Sequence, residues 1–155
     1  RSFPTIAGYG ANSAVVHYEP SAARPGITVG TDSVLLIDFG GHYDYGGTTD
    51  TTRTVHFGTP THEQRTAFTR VLRGHIALAS AVFPPYTPVG QLDALARAPL
   101  WKAGLNYGHG TGHGIGPMLV VHEQPIISWR GTKKVSSFVP LSITNQAKQS
   151  KQSTT

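Results

Sequence analysis

The chain has 155 residues, of which 38% are hydrophobic and 14% are charged, and it contains no cysteine. This length suits one compact domain. The absence of cysteine excludes disulfide scaffolds and cysteine-ligated zinc. No apolar run approaches the roughly 20 residues of a membrane-spanning helix. The net charge is +5, but residues 1–123 are neutral overall and the excess lies in residues 124–155, so we expect neither a membrane partner nor specific binding to nucleic acid, which needs a basic face on the folded part.

The first half of the chain predicts four strands. Phe3–Ala7 and Ala14–Tyr18 are short apolar stretches joined by a glycine-containing turn at residues 8–12. Val34–Ile37 is a continuous apolar run of strand length, which is typical of a strand that is buried on both faces. Thr49–Phe57 is rich in threonine with valine and phenylalanine, and this composition favours a strand. The first half is therefore predicted to form a sheet.

Two helices are predicted to follow. Thr61 and Gln64 have the spacing of a capping box, in which each side chain satisfies a backbone amide of the other residue. Apolar residues then recur at helical spacing and predict a helix over residues 62–83. A second helix is predicted over residues 91–103, although it contains Pro99.

The last third of the chain is predicted to be mostly irregular. Glycines alternate with other residues from 108 to 116, ahead of a strand-like stretch at Met118–His122. Residues 124–155 are rich in serine, threonine, glutamine and lysine and contain no acid. We expect about the last ten residues to be disordered.

Two aspartates flank a glycine-rich connection between predicted strands. If these strands pair about a turn centred near Asp44, then Asp38 and Asp50 lie directly opposite each other, with Cβ atoms about 5 Å apart. Two carboxylates that close repel each other unless a cation lies between them. The pair therefore predicts a divalent metal site, and turn aspartates exposed to solvent are the alternative.

Histidines supply further candidate ligands. His109 and His113 lie four residues apart, but the glycines between and around them make a helix costly, by about 1 kcal/mol each. On an extended segment they stand well apart, so one is predicted to bind metal and the other substrate. His17 and His122 are further candidates. Each of these histidines also has an ordinary structural interpretation, which is the one we expect for His42, His56, His62 and His75.

Several separate motifs in unbroken order, from residue 2 to about residue 123, resemble one family. They resemble the aminopeptidase P branch of the creatinase, prolidase and methionine aminopeptidase superfamily. The matching segments are Phe3–Ile6, Gly10–Asn12, Val16–Tyr18, Leu36–Gly41, Thr49–Thr54, His109–Gly114 and Val121–Glu123.

The resemblance implies an α+β "pita-bread" fold, which is a curved, mainly antiparallel sheet backed by helices. It implies a cytoplasmic enzyme that cleaves peptides with proline at the second position. A homodimer formed through regions outside this chain is compatible with the resemblance. Two metal ions, commonly manganese, would supply a bridging hydroxide as the nucleophile. Carried over by position, the metal ligands would be Asp38, Asp50 (bridging) and His113, and the residues around the substrate would be His17, His109 and His122.

The chain also departs from the family. The family site needs two more glutamates, yet none follows Glu123, which is not at a ligand position, and Phe39 replaces a usual serine. We therefore interpret residues 1–123 as a partial catalytic domain and residues 124–155 as a divergent tail, produced by a shifted reading frame or an altered terminus. Alone, the chain is expected to bind manganese weakly and to be inactive or strongly impaired. A non-catalytic peptide-binding module and a prolidase- or creatinase-type hydrolase are the alternatives.

Overall fold

The computed structural model describes residues 1–23, 25–117 and 120–127, with side chains as far as Glu123. The described part is α+β, as predicted. Its elements are β1 (Ile6–Tyr9), a 3-10 helix (Gly10–Ala14), β2 (Val34–Phe39), β3 (His42–Tyr43), β4 (Gly47–Thr48), β5 (Thr51–His56), α1 (His62–Ala79), α2 (Val89–Trp101), β6 (Gly112–Gly114) and β7 (Glu123–Ile127).

The main sheet has three antiparallel strands in the order β1-β2-β5. Its central strand β2 holds the apolar run that the sequence predicted to be buried, and Leu35 and Leu36 are only 8% and 4% exposed. Burial of consecutive residues means that both faces of β2 are covered. The strand continues to Phe39, so Asp38 lies within the sheet, between Ile6 on β1 and Thr52 on β5.

The N-terminal segment differs from its prediction. The first strand is Ile6–Tyr9 instead of Phe3–Ala7, and the predicted strand Ala14–Tyr18 is wrong. Gly10 has a φ of +58°, a conformation that favours glycine, and it begins a 3-10 helix in place of a hairpin turn. The side-chain amide of Asn12 donates to the hydroxyl of Tyr18 over 3.0 Å, which stabilises a compact loop where a strand was expected.

Helix α1 begins where the capping box predicted. The backbone amide of Gln64 donates to Oγ1 of Thr61 over 3.2 Å, and the amide of Thr61 donates to Oε1 of Gln64 over 2.8 Å. The helix ends at Ala79, four residues before the predicted end. Its last turn is closed at Ser80, where the amide and the hydroxyl both donate to the carbonyl of Ile76.

The two helices pack closely against each other. Helix α2 begins and ends two residues earlier than predicted and contains Pro99. A Cβ atom added to Gly74 of α1 would lie 2.1 Å from the carbonyl oxygen of Ala96 of α2, so the backbones touch there. The core between the helices consists of Leu78, Val89, Leu92 and Ala96, with Phe83 packed against it.

The glycine-rich segment ends in a second small ribbon. Strand β6 pairs antiparallel with β7, and His113 lies opposite Ile126. Residues 120–122 are not in a strand, so that part of the predicted strand Met118–His122 is wrong; residues 118 and 119, like the last ten residues, lie outside the described residues. No helix within the described ranges is long and apolar enough to cross a membrane.

Candidate metal centre

Asp38 is buried at the end of the central strand, with 8% of its surface exposed. Its Oδ1 accepts a hydrogen bond of 2.7 Å from the hydroxyl of Thr52. Burial raises the pKa of Asp38, and the nearby carboxyl of Asp50 raises it further, whereas the Thr52 hydroxyl and His113 oppose the change. The two carboxyl groups therefore lie close together in a poorly solvated place, where their charges need a compensating cation.

Asp50 precedes β5 and does not pair with Asp38 as predicted, since Thr52 lies opposite Asp38. The β3–β4 hairpin explains the error. The amide of Gly46 donates to the carbonyl of Tyr43, and Gly46 takes a φ of +84°, which centres the turn one residue later than Asp44. The register therefore slips by two residues, which keeps the same side chains on the same face of the sheet. Asp50 is thus diagonal to Asp38 and still interacts with it.

His113 on β6 closes on the same point. Its Nε2 lies 3.1 Å from Oδ2 of Asp50, and the two side chains are 10% and 4% exposed. Its Nδ1 lies 2.8 Å from the carbonyl oxygen of Gly114, so Nδ1 carries the hydrogen and Nε2 is the nitrogen that faces Asp50. Burial alone lowers the pKa of His113, but its hydrogen bonds to Asp50 and to the carbonyls of Gly114 and Val121 outweigh that effect and raise it.

His122 also reaches this point. Its ring meets the ring of His113 edge to face, with centroids 4.4 Å apart. Donor atoms of Asp50, His113 and His122 all lie within 4.8 Å of one another, so these three side chains could hold one metal ion between them. The resemblance had assigned His122 to the substrate instead. Burial, followed by the charges of His113 and His17, lowers the pKa of His122.

The other two predicted site histidines lie further out. His17 is exposed on the loop after the 3-10 helix and lies near enough to His122 to affect its pKa. The ring of His109 stacks on the ring of Tyr107 with centroids 4.8 Å apart, and its Nδ1 lies 2.7 Å from the carbonyl oxygen of Gly110. The structure thus groups the potential ligand atoms of Asp50, His113 and His122, and Asp38 interacts with Asp50 next to this group. His109 is not part of the group.

A buried ion pair that the residue patterns did not predict lies next to this group. Asp93 and Arg97 of α2 lie one helical turn apart, and Nε of Arg97 donates to Oδ2 of Asp93 over 2.7 Å. The pair contacts the segment that carries His109 and His113. The pair could have been predicted from its spacing, since an acid and a base lie four residues apart in a largely apolar helix. Charged side chains in such a helix are rarely buried unless they are paired.

The donor set fits a hard divalent cation. Carboxylate oxygens and imidazole nitrogens are ligands that manganese and similar ions accept. The hydrogen bond at Nδ1 of His113 fixes the ring and leaves Nε2 on the side of Asp50, as second-shell hydrogen bonds do for metal-binding histidines.

Comparison with known proteins identifies the family. The family model described as "Metallopeptidase family M24" matches residues 1–139. The chain belongs to this family. A probable Xaa-Pro aminopeptidase P of Fusarium vanettenii is 56% identical over 125 residues, which are 81% of this chain and 20% of the relative. Aminopeptidase P1 of Lotus japonicus is 54% identical over 130 residues, 83% of this chain and 20% of the relative. The M24 chain thus spans about a fifth of the length of these relatives.

Solved structures of M24 relatives show the fold. The X-prolyl aminopeptidase of Caenorhabditis elegans, described as a cytosolic enzyme with a di-nuclear active site, is 40% identical with a TM-score of 0.74, over 93% of this chain and 22% of that one. Prolidase from Pyrococcus furiosus is 30% identical with a TM-score of 0.72, over 86% and 38%. The pita-bread fold and the resemblance to aminopeptidase P that the sequence predicted are confirmed.

Proposed function

We propose that this chain is part of the catalytic domain of a metal-dependent Xaa-Pro aminopeptidase, which releases the N-terminal residue before proline. The observation that carries the proposal is the buried contact of 3.1 Å between His113 and Asp50, beside Asp38. It occurs in an M24 chain that shares 56% identity with a probable Xaa-Pro aminopeptidase P. Peptides with proline at the second position are the proposed substrates.

In this proposal Asp38, Asp50 and His113 hold the metal, with two manganese ions in the complete site. The close carboxylates support this assignment, because burying both charges without a cation is costly. When bound, divalent metal supplies Lewis-acid activation of water at neutral pH. Thr52 and the carbonyl of Gly114 orient one carboxylate and the imidazole.

His17, His109 and His122 are proposed to surround the substrate. The lowered pKa of His122 supports its part, because it keeps the ring neutral at neutral pH. A neutral imidazole can donate its N–H to an oxyanion that develops on the scissile carbonyl. Since His122 also lies within 4.8 Å of the ligand atoms of Asp50 and His113, it would act at the edge of the metal site.

The chain is proposed to be a partial catalytic domain followed by a divergent basic tail. The boundary between residues 1–123 and 124–155 that the sequence predicted falls within strand β7, which pairs with β6 as far as Ile127. Asp38, Asp50 and His113 alone leave a hard divalent ion under-coordinated, so we expect this chain by itself to bind manganese weakly. A cytoplasmic location, a homodimer formed through other regions, and the lack of specific nucleic-acid or membrane partners also stay proposals.

The activity test compares the chain with a chimera. We expect the 155-residue chain with manganese to hydrolyse a fluorogenic Arg-Pro-Pro peptide negligibly. A chimera that carries residues 1–123 in place of the matching segment of the Lotus relative should hydrolyse it, and Asp50→Asn in the chimera should abolish hydrolysis. Robust turnover by the chain alone would contradict the expectation that it is impaired. A folded but inactive chimera would contradict the proposal that the chain is part of an enzyme.

The alternative from a different class is a non-catalytic module that binds peptides without metal. Such a module would bind a proline-containing peptide equally well in EDTA and in manganese. A prolidase- or creatinase-type hydrolase is distinguished by the chimera's preference for dipeptides or creatine over longer Xaa-Pro peptides.

A further inference from the structure

Arg97 is a charged side chain held inside the molecule. Only 3% of its surface is exposed, and arginine is rarely buried to this degree unless it is paired. Its Nε donates to Oδ2 of Asp93 over 2.7 Å. This ion pair uses one side of the guanidinium and leaves the two terminal nitrogens directed at the segment that follows α2.

Those terminal nitrogens bind the backbone of that segment. Nη1 donates to the carbonyl of Tyr107 over 2.6 Å and to Oδ1 of Asn106 over 2.9 Å, and Nη2 donates to the carbonyl of His109 over 2.9 Å. The guanidinium carbon also lies 3.8 Å from the ring centroid of Tyr107. One side chain therefore fixes the two carbonyls on either side of Gly108.

Asp93 holds the same segment further along. Its Oδ1 accepts a hydrogen bond from the hydroxyl of Thr111, which is also 2.6 Å from the hydroxyl of Tyr107. Thr111 is 3% exposed and lies two residues before His113. The ion pair thus anchors the segment on both sides of His109 and immediately ahead of His113.

The segment needs such an anchor. Glycines at 108, 110, 112 and 114 give its backbone more freedom in the unfolded chain than other residues would, so ordering it costs more conformational entropy. A buried ion pair is weak evidence for stability, because well-packed apolar residues often serve the fold as well. Here Arg97 and Asp93 both form further hydrogen bonds, and these bonds go to this one segment.

We propose that Arg97, paired with Asp93, is a positioning residue that fixes residues 106–113 so that His113 meets Asp50. The inference rests on the proposed function, since it assigns the ion pair to the assembly of that metal centre. Arg97 acts through the backbone of Tyr107 and His109 and does not itself contact metal or substrate.

The test measures backbone hydrogen exchange of the full chain in EDTA, residue by residue. Arg97→Lys keeps a charge for Asp93 but loses the fork that holds two carbonyls. We expect exchange of the amides at 108–114 to become at least about tenfold faster, with the amides of α1 unchanged. Arg70→Lys is the matched control, because it also removes an arginine bond to a carbonyl, that of Pro99 over 2.9 Å, but away from this segment. It should leave residues 108–114 unchanged.

A manganese titration of the same variants separates positioning from general stability. Affinity for Mn²⁺ should fall about tenfold in Arg97→Lys and remain unchanged in Arg70→Lys. Unchanged exchange at 108–114, or equal acceleration throughout the chain, would overturn the proposal. Should Arg97→Lys fail to fold, Asn106→Ala removes one acceptor and leaves the ion pair intact; local acceleration then supports the proposal, and its absence overturns it.

Failure of the proposed function has a different signature. If the wild-type chain takes up no Mn²⁺ at all, the metal centre is wrong, whatever the exchange experiment gives. Selective loosening of 108–114 in Arg97→Lys would still establish that Arg97 positions this segment.

Discussion

At Asp38, burial in the folded chain disfavours the ionised carboxylate, whereas metal binding in the proposed function requires it. Burial and the neighbouring Asp50 raise the pKa of Asp38, so protonation of Asp38 is easier in the folded metal-free chain than in the unfolded one. The ionised form that a metal requires therefore destabilises the metal-free chain. The two aspartates were predictable from the residue pattern, but their register was not, because the turn at Gly46 lies one residue later than expected.

This conflict predicts a pH-dependent gain in stability for Asp38→Asn. A pKa that is raised in the folded state makes stability fall as the pH rises from the ordinary value of 3.8 through the raised value. In EDTA at pH 7 the variant should melt at a higher temperature than wild type, and the difference should grow as the pH rises from 3.8 through the raised pKa. The difference should vanish below pH 3.8.

Thermal unfolding in EDTA at several pH values measures this effect. Asp44→Asn is the matched control, because Asp44 is exposed in the hairpin turn and its replacement should change little. Lower stability of Asp38→Asn at pH 7 in EDTA would contradict the pKa direction.

At the scale of elements, local patterns predicted more than long-range ones. The capping box at Thr61 located the start of α1 because its hydrogen bonds join residues three apart. The end of α1 and the strand expected at Ala14–Tyr18 could not be found this way. They depend on Ser80 and on the contact of Asn12 with Tyr18, which compete with regular structure. The contact between the helices also has no sequence pattern.

The close contact between α1 and α2 predicts that a side chain at Gly74 destabilises the fold. Alanine favours a helix over glycine by about 1 kcal/mol. Its Cβ, however, would lie 2.1 Å from the carbonyl oxygen of Ala96, and overpacking typically costs about 1–3 kcal/mol. Because the obstructing atom belongs to the backbone, the overpacking cost should reach the upper end of this range. After subtraction of the gain in helix propensity, we expect Gly74→Ala to lower the stability by about 2 kcal/mol.

Thermal unfolding of Gly74→Ala tests this prediction, with Arg73→Ala as the control. Arg73 is exposed on the same helix, so its replacement should change the free energy of unfolding by no more than about 0.5 kcal/mol. A higher melting temperature for Gly74→Ala would mean that the two helices are further apart than described.

For the whole molecule, the ordered motifs predicted the family, the fold and the group of side chains that meet at Asp50. Their roles were not predictable from residue patterns alone and came from the resemblance. The anchoring of the glycine-rich segment by Arg97 was missed, because it joins a helix to a loop through backbone carbonyls. The chain spans about a fifth of the length of its relatives, and in the proposed function Asp38, Asp50 and His113 are its metal ligands.

Calorimetric titration of the wild-type chain and of Asp50→Asn with Mn²⁺ tests that point most directly. We expect saturable binding to the wild type with a Kd on the order of 10⁻⁴–10⁻³ M, the weak end for hard-cation sites with few carboxylates. The variant should show no measurable binding, since it loses the carboxylate that contacts His113. Equal binding by both proteins, or none by a folded wild-type chain, would contradict the account.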